Sequence, residues 1–386
     1  MHAIRHGQPG WKLELLAGSD GDFTAAVQEL GIGVHIIPLP STLSRLGDAG
    51  AGGPAGETVS KSSIVAALGL SAPQLTSYVW KLRHFLSESN PDLIHSNGLK
   101  THILAAIAAP PRSKVLWHVH DYVGARPLTS RLIRLLARRC DAAIVNSHSV
   151  ERDLDAVCRG RVKIHTAYNA VDLKRFSPQG PLLDLDALSG LPPATDGTLR
   201  VGLVATMARW KGQEVFLQAL SMLPKALPIR GYIIGGRIYL TRGSQYSVDE
   251  LRNLASNLGL NGKVAFTGYV HDPSSAIRAL DIVVHASTQP EPFGLAVAEA
   301  MACGKPVVAS NAGGVSEIIS DNETALGHAP ADAAALATCI ARLAADHGLR
   351  KKLGAKGRRR AEQRFDRLRL EREIPLIYRS SMAPRY

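Results

Sequence analysis

The sequence predicts an α/β protein built as two doubly wound halves, each around a parallel sheet. Three observations carry that expectation. Short apolar runs alternate with helical patterns in two successive series. A proline- and glycine-rich stretch separates the series, and 386 residues suffice for two domains with separate cores.

In the first series, strands are expected at 13–16, 34–39, 93–95, 115–118 and 142–145, each a short apolar run. Helical patterns fall between and after them, at 23–30, 75–88, 101–109, 129–139 and 150–158. The segment from Ser41 to Ser62 contains Gly47-Asp48-Ala49-Gly50-Ala51-Gly52-Gly53-Pro54, has no periodicity, and reads as a flexible loop. The first domain is placed at 1–176, a linker at 177–199, a second domain at 200–365, and a crossover helix with its tail at 366–386. Strands in the second domain are expected at 201–205, 231–234, 264–267, 281–285 and 307–309. Its helices are expected at 213–223, 248–258, 293–303 and 331–346.

Composition narrows the function classes. No apolar run reaches the roughly 18–20 residues of a membrane span, and the first ten residues lack the apolar core of a signal peptide. Cys140, Cys158, Cys303 and Cys339 show neither C-x-x-C pairing nor metal-ligand spacing, so small buried thiols in a reducing cytoplasm are expected. The net charge of +12 is concentrated, because Arg350 to Glu373 holds eleven Lys/Arg against four Asp/Glu. Such a patch either attracts polyanions or forms a solvated helix face. Only Phe365 interleaves with its arginines, so a nucleic-acid partner is not expected. A second basic helix carries Arg131, Arg134 and Arg138 on one face, suited to an anionic membrane surface or simply to solvent.

Chemistry concentrates in Gln289-Pro290-Glu291-Pro292-Phe293-Gly294-Leu295-Ala296-Val297-Ala298-Glu299-Ala300-Met301-Ala302-Cys303-Gly304-Lys305-Pro306. Pro292 suits a first helical position and Gly304 a helix end, which gives the helix at 293–303. Apart from Glu299 that helix is apolar on every face and should be buried. A carboxylate there requires hydrogen-bond partners, while the helix start, with free N–H groups and a glycine, suits an anion such as phosphate. A sugar nucleotide satisfies all of these features: phosphate at Gly294 and Leu295, ribose on Glu299, sugar hydroxyls on Glu291. The competing reading is a core helix in which Glu299 pairs with a buried arginine and Glu291 is a turn residue.

This stretch resembles the E-x7-E signature of retaining glycosyltransferases of family 4, which have the GT-B fold. The resemblance continues through Pro306-Val307-Val308-Ala309-Ser310 and Gly313-Gly314-Val315-Ser316-Glu317-Ile318-Ile319, and upstream includes Trp210-Lys211-Gly212 and Phe266-Thr267-Gly268. It implies two Rossmann-like domains facing across a cleft, with a C-terminal helix crossing back to the first. Family members open with a strand, a glycine-rich loop and a helix that are not found here. The stretch 12–17 resembles their second strand, and a true start upstream of Met1 is expected.

Residue by residue, Val204-Ala205-Thr206-Met207-Ala208-Arg209-Trp210-Lys211-Gly212 resembles the family's V-G-R-L-x-x-x-K-G, whose arginine and lysine hold the diphosphate. Lys211 matches; Thr206 stands in the arginine's place, and Arg209 is the candidate substitute. His120 is the nearest match to a histidine that contacts the donor sugar. His95, Asn97 and Lys100 fall on the acceptor side, and Gly268 and Val270 resemble a loop whose backbone reads the base. Phe293, Gly294 and Leu295 open the phosphate-binding helix. Two D-x-D matches, Asp184-Leu185-Asp186 and Asp153-Leu154-Asp155, fall in the linker and on a helix and are read as chance.

The resemblance thus implies metal-independent transfer of a hexose-type sugar from a UDP- or GDP-linked donor, without further cofactor. The acceptor would be a hydroxyl of a glycan, a lipid-linked molecule or a metabolite. Catalytic roles fall to His120, Lys211 and Glu291, in a cytoplasmic protein with peripheral contact at the inner membrane face. The alternative is a catalytically impaired GT-B protein serving as a partner or stabilising subunit, motivated by Thr206 and the missing opening.

Overall fold

The computed structural model describes residues 1–40, 61–238 and 243–383, so the expected glycine-rich loop lies outside the described residues except for its last two positions. The chain divides into two compact units, Met1–Tyr168 with Leu368–Tyr386, and Asn169–Arg367.

The first unit begins with α1 (His2–Gly7), β1 (Glu14–Ala17), α2 (Asp22–Gln28) and β2 (Gly33–Ile36); the two strands pair in parallel as a separate small sheet. Helix α3 (Lys61–Ser89) starts well before the expected position 75 and takes in Lys61 and Ser62, which had been read as loop. A four-stranded parallel sheet follows in the order β3 (Leu93–Asn97), β4 (Lys114–Val119), β5 (Ala142–Val145), β6 (Lys163–Thr166). Its helices are α4 (Leu99–Ala108), α5 (Pro127–Leu136) and α6 (His148–Cys158). Strands covered on both faces read as continuous apolar runs, and β5, Ala-Ala-Ile-Val, is buried at every position.

The second unit carries one six-stranded parallel sheet. Its strands are β7 (Leu199–Val204), β8 (Ile229–Ile234), β9 (Val264–Gly268), β10 (Ile282–His285), β11 (Val307–Ser310) and β12 (Leu326–His328), arranged β12-β11-β10-β7-β8-β9. The chain enters at the centre, winds outward to β9, returns to β10 and winds the other way. The winding direction therefore reverses between β7 and β10, where a doubly wound sheet opens a crevice at the carboxyl ends of its strands. The helices are α7 (Leu185–Ser189), α8 (Gln213–Ser221), α9 (Val248–Asn257), α10 (Pro273–Arg278), α11 (Leu295–Ala302), α12 (Val315–Ile318), α13 (Ala333–Ala345) and α14 (His347–Arg364).

Three expectations are corrected here. The proline-rich 177–199 segment is not a free linker: Asp184 caps α7, and the buried Asp186 accepts hydrogen bonds from Arg200 (3.1 Å), Arg230 (2.7 Å), Tyr232 (2.7 Å) and the Ala194 amide (3.0 Å). Burial alone would raise the Asp186 carboxyl, but these donors outweigh it and hold the group well below the usual carboxylate range. The central helix starts at Leu295, not at 293, because Gly294 adopts φ +98° as its cap and leaves Pro292 in the turn before it. The basic C-terminal stretch is largely occupied with packing: Arg358 donates to the carbonyls of Phe176 and Ala302, and Arg360 to Ser320 and the Glu317 carbonyl.

The last helix, α15 (Leu370–Met382), returns to the first unit, where Ile374 and Tyr378 are buried with Ile4, Leu116 and Ile144. Trp11 stacks on the Tyr378 ring with centroids 5.9 Å apart. Burying each such large side chain contributes about 1.5–3 kcal/mol, enough to fasten a single helix.

Candidate active site

A pocket of about 190 Å³ lies where the strand order reverses. It is lined by Leu203 to Thr206 at the end of β7, by Val284 to Ala286 at the end of β10, and by Lys211, Glu291, Leu295 and Ala296. Lys211 reaches it from a single 3-10 turn ended by Gly212 at φ +77°. A Cβ on Gly212 would lie 1.8 Å from the Ala286 carbonyl oxygen, so only glycine lets that turn approach β10.

Glu291 organises the polar side of the pocket. Its Oε1 accepts from Lys211 Nζ at 2.6 Å, and its Oε2 accepts from His285 Nε2 and Ser287 Oγ, each at 2.7 Å. Burial would push this carboxyl up, but His285 and Lys211 outweigh it and hold it well below the usual range, so Glu291 is ionised. Lys211 Nζ also sits 4.0 Å over the Trp210 ring. Thr206, in the arginine's place, lines the pocket with a buried hydroxyl that has no hydrogen-bond partner among the described residues.

Arg209, the candidate substitute for that arginine, does not line the pocket. Its guanidinium donates to Glu250 at 2.7 Å and to the Gly243 carbonyl at 2.9 Å, and lies over the Tyr246 ring, outside the pocket lining. Lys211 is therefore the one Lys or Arg among the described lining residues.

At the start of α11 the Val297 and Ala298 amides bond back to the Gly294 carbonyl, leaving those of Leu295 and Ala296 without an intrahelical acceptor beside the pocket. Glu299 lies one turn further on, half-buried. Burial raises its carboxyl to about 7, against an opposing pull from Arg175, and it has no hydrogen bond or ion pair among the described residues. The competing reading, a glutamate neutralised by an interior arginine, is not what the structure shows, since Arg175 pairs with Asp272. Phe293 is buried edge-on against Phe365, with centroids 5.8 Å apart, and is not a lining residue. Gly268, at φ +70°, ends the β9 edge strand and Val270 lies two residues beyond it, both outside the lining.

In the first unit, the carboxyl ends of β3 and β4 bring histidines together. His95 Nε2 pairs with His118 Nδ1 at 3.1 Å, His95 Nδ1 hydrogen-bonds the Tyr378 hydroxyl, and the His118 and His120 rings lie 4.1 Å apart. Burial lowers His95 to about 4 and holds His118 well below its ordinary value; it also lowers His120, with Asp121 opposing. These imidazoles are neutral near pH 7. His120 Nε2 is buried with no partner among the described residues. Asn97 is exposed at the end of β3, and Lys100 is half-buried in the first turn of α4.

His285 and Ser287 escaped the sequence reading. The available signal was position: His285 ends a parallel strand next to the reversal point, where side chains meet ligands. Of the two D-x-D matches, Asp186 is accounted for above, and Asp153 accepts from the Val123 and Gly124 amides at 2.6 and 3.0 Å. Among the described residues, no helix is long and apolar enough to cross a membrane.

Comparison with known proteins bears on this geometry. Residues 193–360 match the model of glycosyl transferases group 1, and residues 21–175 match that of glycosyltransferase family 4. The chain is 34% identical over 241 residues to the D-inositol 3-phosphate glycosyltransferase of Xylanimonas cellulosilytica, covering 58% of this chain and 53% of the relative. It is 31% identical over 252 residues to the lipopolysaccharide core biosynthesis mannosyltransferase LpsB of Rhizobium meliloti, covering 64% and 68%. The chain thus spans about half the length of the first relative and two thirds of the second. Among solved structures it is similar to Anabaena HepE in complex with UDP, with a TM-score of 0.77 and 25% identity over 98% of this chain and 94% of that one.

Proposed function

The chain belongs to the family 4 glycosyltransferases, and from that premise we propose that it moves a hexose-type sugar from a UDP- or GDP-linked donor to an acceptor hydroxyl, with retention of configuration. The observation that carries this reading is the Lys211–Glu291 pair in a pocket between β7 and β10, beside the unsatisfied amides of α11.

In this reading the donor pyrophosphate lies against the Leu295 and Ala296 amides, and Lys211 turns from Glu291 to meet it. As the glycosidic bond breaks, charge develops on the leaving phosphate. Amide donors already in place, and the ammonium that Lys211 brings to the phosphate, stabilise it in a site partly closed to water, without a metal cofactor. Glu291 then holds sugar hydroxyls, anchored from behind by His285 and Ser287. Glu299, whose carboxyl has no partner among the described residues, receives the ribose hydroxyls. His120, as a neutral imidazole, keeps the sugar-contacting role that its resemblance implies. In this reading no pocket side chain acts as a covalent nucleophile: the acceptor attacks from the leaving-group face and its proton passes to the departing phosphate. The UDP bound by HepE supports a nucleoside diphosphate ligand. The mannosyl and inositol-phosphate relatives support a hexose and a hydroxyl acceptor on a glycan, glycolipid or metabolite.

Calorimetric titration with UDP, GDP and ADP tests the reading. One of them should bind, and Lys211→Ala should weaken it at least about tenfold, since a charge-assisted hydrogen bond contributes about 1.5–3 kcal/mol. Unchanged affinity in the variant would remove Lys211 from the phosphate site.

A further inference from the structure

Of the polar side chains that line the pocket, Lys211 and His285 both bond to Glu291, whereas the Thr206 hydroxyl is buried with no partner among the described residues. A buried hydroxyl without a partner destabilises the fold, and an acceptor entering the pocket reverses that cost. The backbone on either side of Thr206 is pinned. The Ala205 amide bonds to the Ile234 carbonyl (3.0 Å), the Met207 amide to the Gly236 carbonyl (3.1 Å), and the Thr206 carbonyl accepts from the fully buried Gln213 at 2.7 Å. A Cβ on Gly235 would lie 1.9 Å from the Ala205 carbonyl oxygen, so the chain leaving β8 closes tightly on this turn. The hydroxyl is free to change rotamer while its Cα stays at the pocket.

Charge sets what such a hydroxyl would recognise. Lys211 and Glu291 are the only Lys, Arg, Asp or Glu among the described lining residues, and at 2.6 Å their charges cancel. The pocket thus offers neutral donors, the Leu295 and Ala296 amides and the Thr206 hydroxyl, with one ammonium already shared with a carboxylate. Two forms of a diphosphate compete for such a site. In an intact sugar nucleotide each phosphate carries one negative charge. Once the sugar has left, the terminal phosphate ionises a second time near about pH 6, so the free nucleotide carries about one charge more at neutral pH. A second cation in the position of Thr206 would favour the more highly charged product. A hydroxyl, being neutral, gives the product no such advantage.

We propose that Thr206 is a specificity-determining residue of the donor site: its hydroxyl donates to a diphosphate oxygen, and as a neutral group it lets the site hold an intact sugar nucleotide at least as tightly as the nucleoside diphosphate left after transfer. Lys211 acts in the same sense, because a free nucleotide brings no sugar hydroxyls to replace the ammonium on Glu291. The inference rests on the donor-site reading above and adds a consequence to it, weak inhibition by the released nucleotide.

The test is calorimetric titration of the full chain at neutral pH with UDP beside UDP-glucose and UDP-galactose, and with GDP beside GDP-mannose. For the base that binds, the parent should hold one of its sugar nucleotides at least as tightly as the free nucleotide. Thr206→Val keeps the side-chain shape and removes the hydroxyl. It should weaken nucleotide and sugar nucleotide alike by about tenfold, with a ligand-free thermal midpoint no lower than the parent's, and Thr206→Ser should restore both affinities. Thr206→Arg should shift the preference toward the free nucleotide by at least about tenfold. A threonine that only fills the strand end predicts that Thr206→Val binds as the parent does. That result, with binding still lost in Lys211→Ala, overturns the inference and leaves the donor-site reading standing. A parent that binds the free nucleotide about tenfold more tightly than every sugar nucleotide overturns it as well. If neither base binds the parent, the donor-site reading itself falls and takes the inference with it.

Discussion

Replacing Glu299 with glutamine should make the protein more stable and its nucleotide site weaker. Burial raises the Glu299 carboxyl from 4.5 to about 7, with Arg175 opposing, and nothing among the described residues hydrogen-bonds it. Between those two pH values the folded chain holds a proton that the unfolded chain has released, so stability falls as pH rises through the window. At about 1.4 kcal/mol per pH unit the full interval corresponds to a loss of about 3 kcal/mol by pH 8, an upper bound for a half-buried group. Glutamine cannot ionise and incurs no such loss. Glu299→Gln should therefore match the parent near pH 5 and exceed it at pH 8 by up to about 3 kcal/mol. For a unit of this size that is a rise of about 6–12 °C in thermal midpoint, at about 2–4 °C per kcal/mol. Scanning calorimetry at pH 5, 6, 7 and 8 makes the comparison. The same titration with UDP should show a smaller ligand-induced rise for the variant, because ribose hydroxyls would donate to the carboxylate that glutamine lacks. A midpoint difference that stays constant with pH, or a variant less stable at pH 8, would refute the reasoning.

His95 should behave in the opposite sense. Lowered to about 4 by burial, its imidazole stays neutral in the fold while the unfolded chain takes up a proton below 6.5, so stability is lost as pH falls through that window, by up to about 3 kcal/mol. Urea titrations at pH 7, 5 and 4 should show His95→Asn losing less than the parent; parallel profiles would exclude the effect. Gly212→Ala should cost at least about 2 kcal/mol, because its Cβ would meet the Ala286 carbonyl oxygen and its φ of +77° disfavours a side chain. A loss under about 0.5 kcal/mol in urea titration would show that the Lys211 turn can shift away from β10.

The parts of the fold legible in the sequence were those whose chemistry is local. Strand β5 was expected at 142–145 and found there, since four successive apolar residues in a parallel sheet have no other assignment. Strand β6, Lys-Ile-His-Thr, was missed because it lies half-exposed at a sheet edge and carries no apolar run. Helix α14 was expected only as one reading of the basic patch and without bounds, because its packing depends on Gly354 and Gly357 fitting closely and on arginines reaching carbonyls, which leaves no apolar period to read. The site divides in the same way. Lys211 and Glu291 stand in recognisable stretches, and the structure joins them across 80 residues. Arg209 was misplaced because its partner, Glu250, lies 41 residues away on another helix, and no local pattern reports that capture. Proline and glycine at 177–199 recorded turns, which composition alone cannot distinguish from freedom.

Asp186 fixes where the second unit can be cut. A fragment begun at Leu199, where the strand pattern starts, would keep Arg200, Arg230 and Tyr232 and discard the carboxylate they share. Two guanidinium groups would then face each other without a counter-ion, and the excised half would come out of expression damaged by its own boundary. A chimera that grafts this connecting segment from a relative inherits the same constraint: the arginine and tyrosine of β8 must travel with it, or the graft must bring an acid to the position of Asp186.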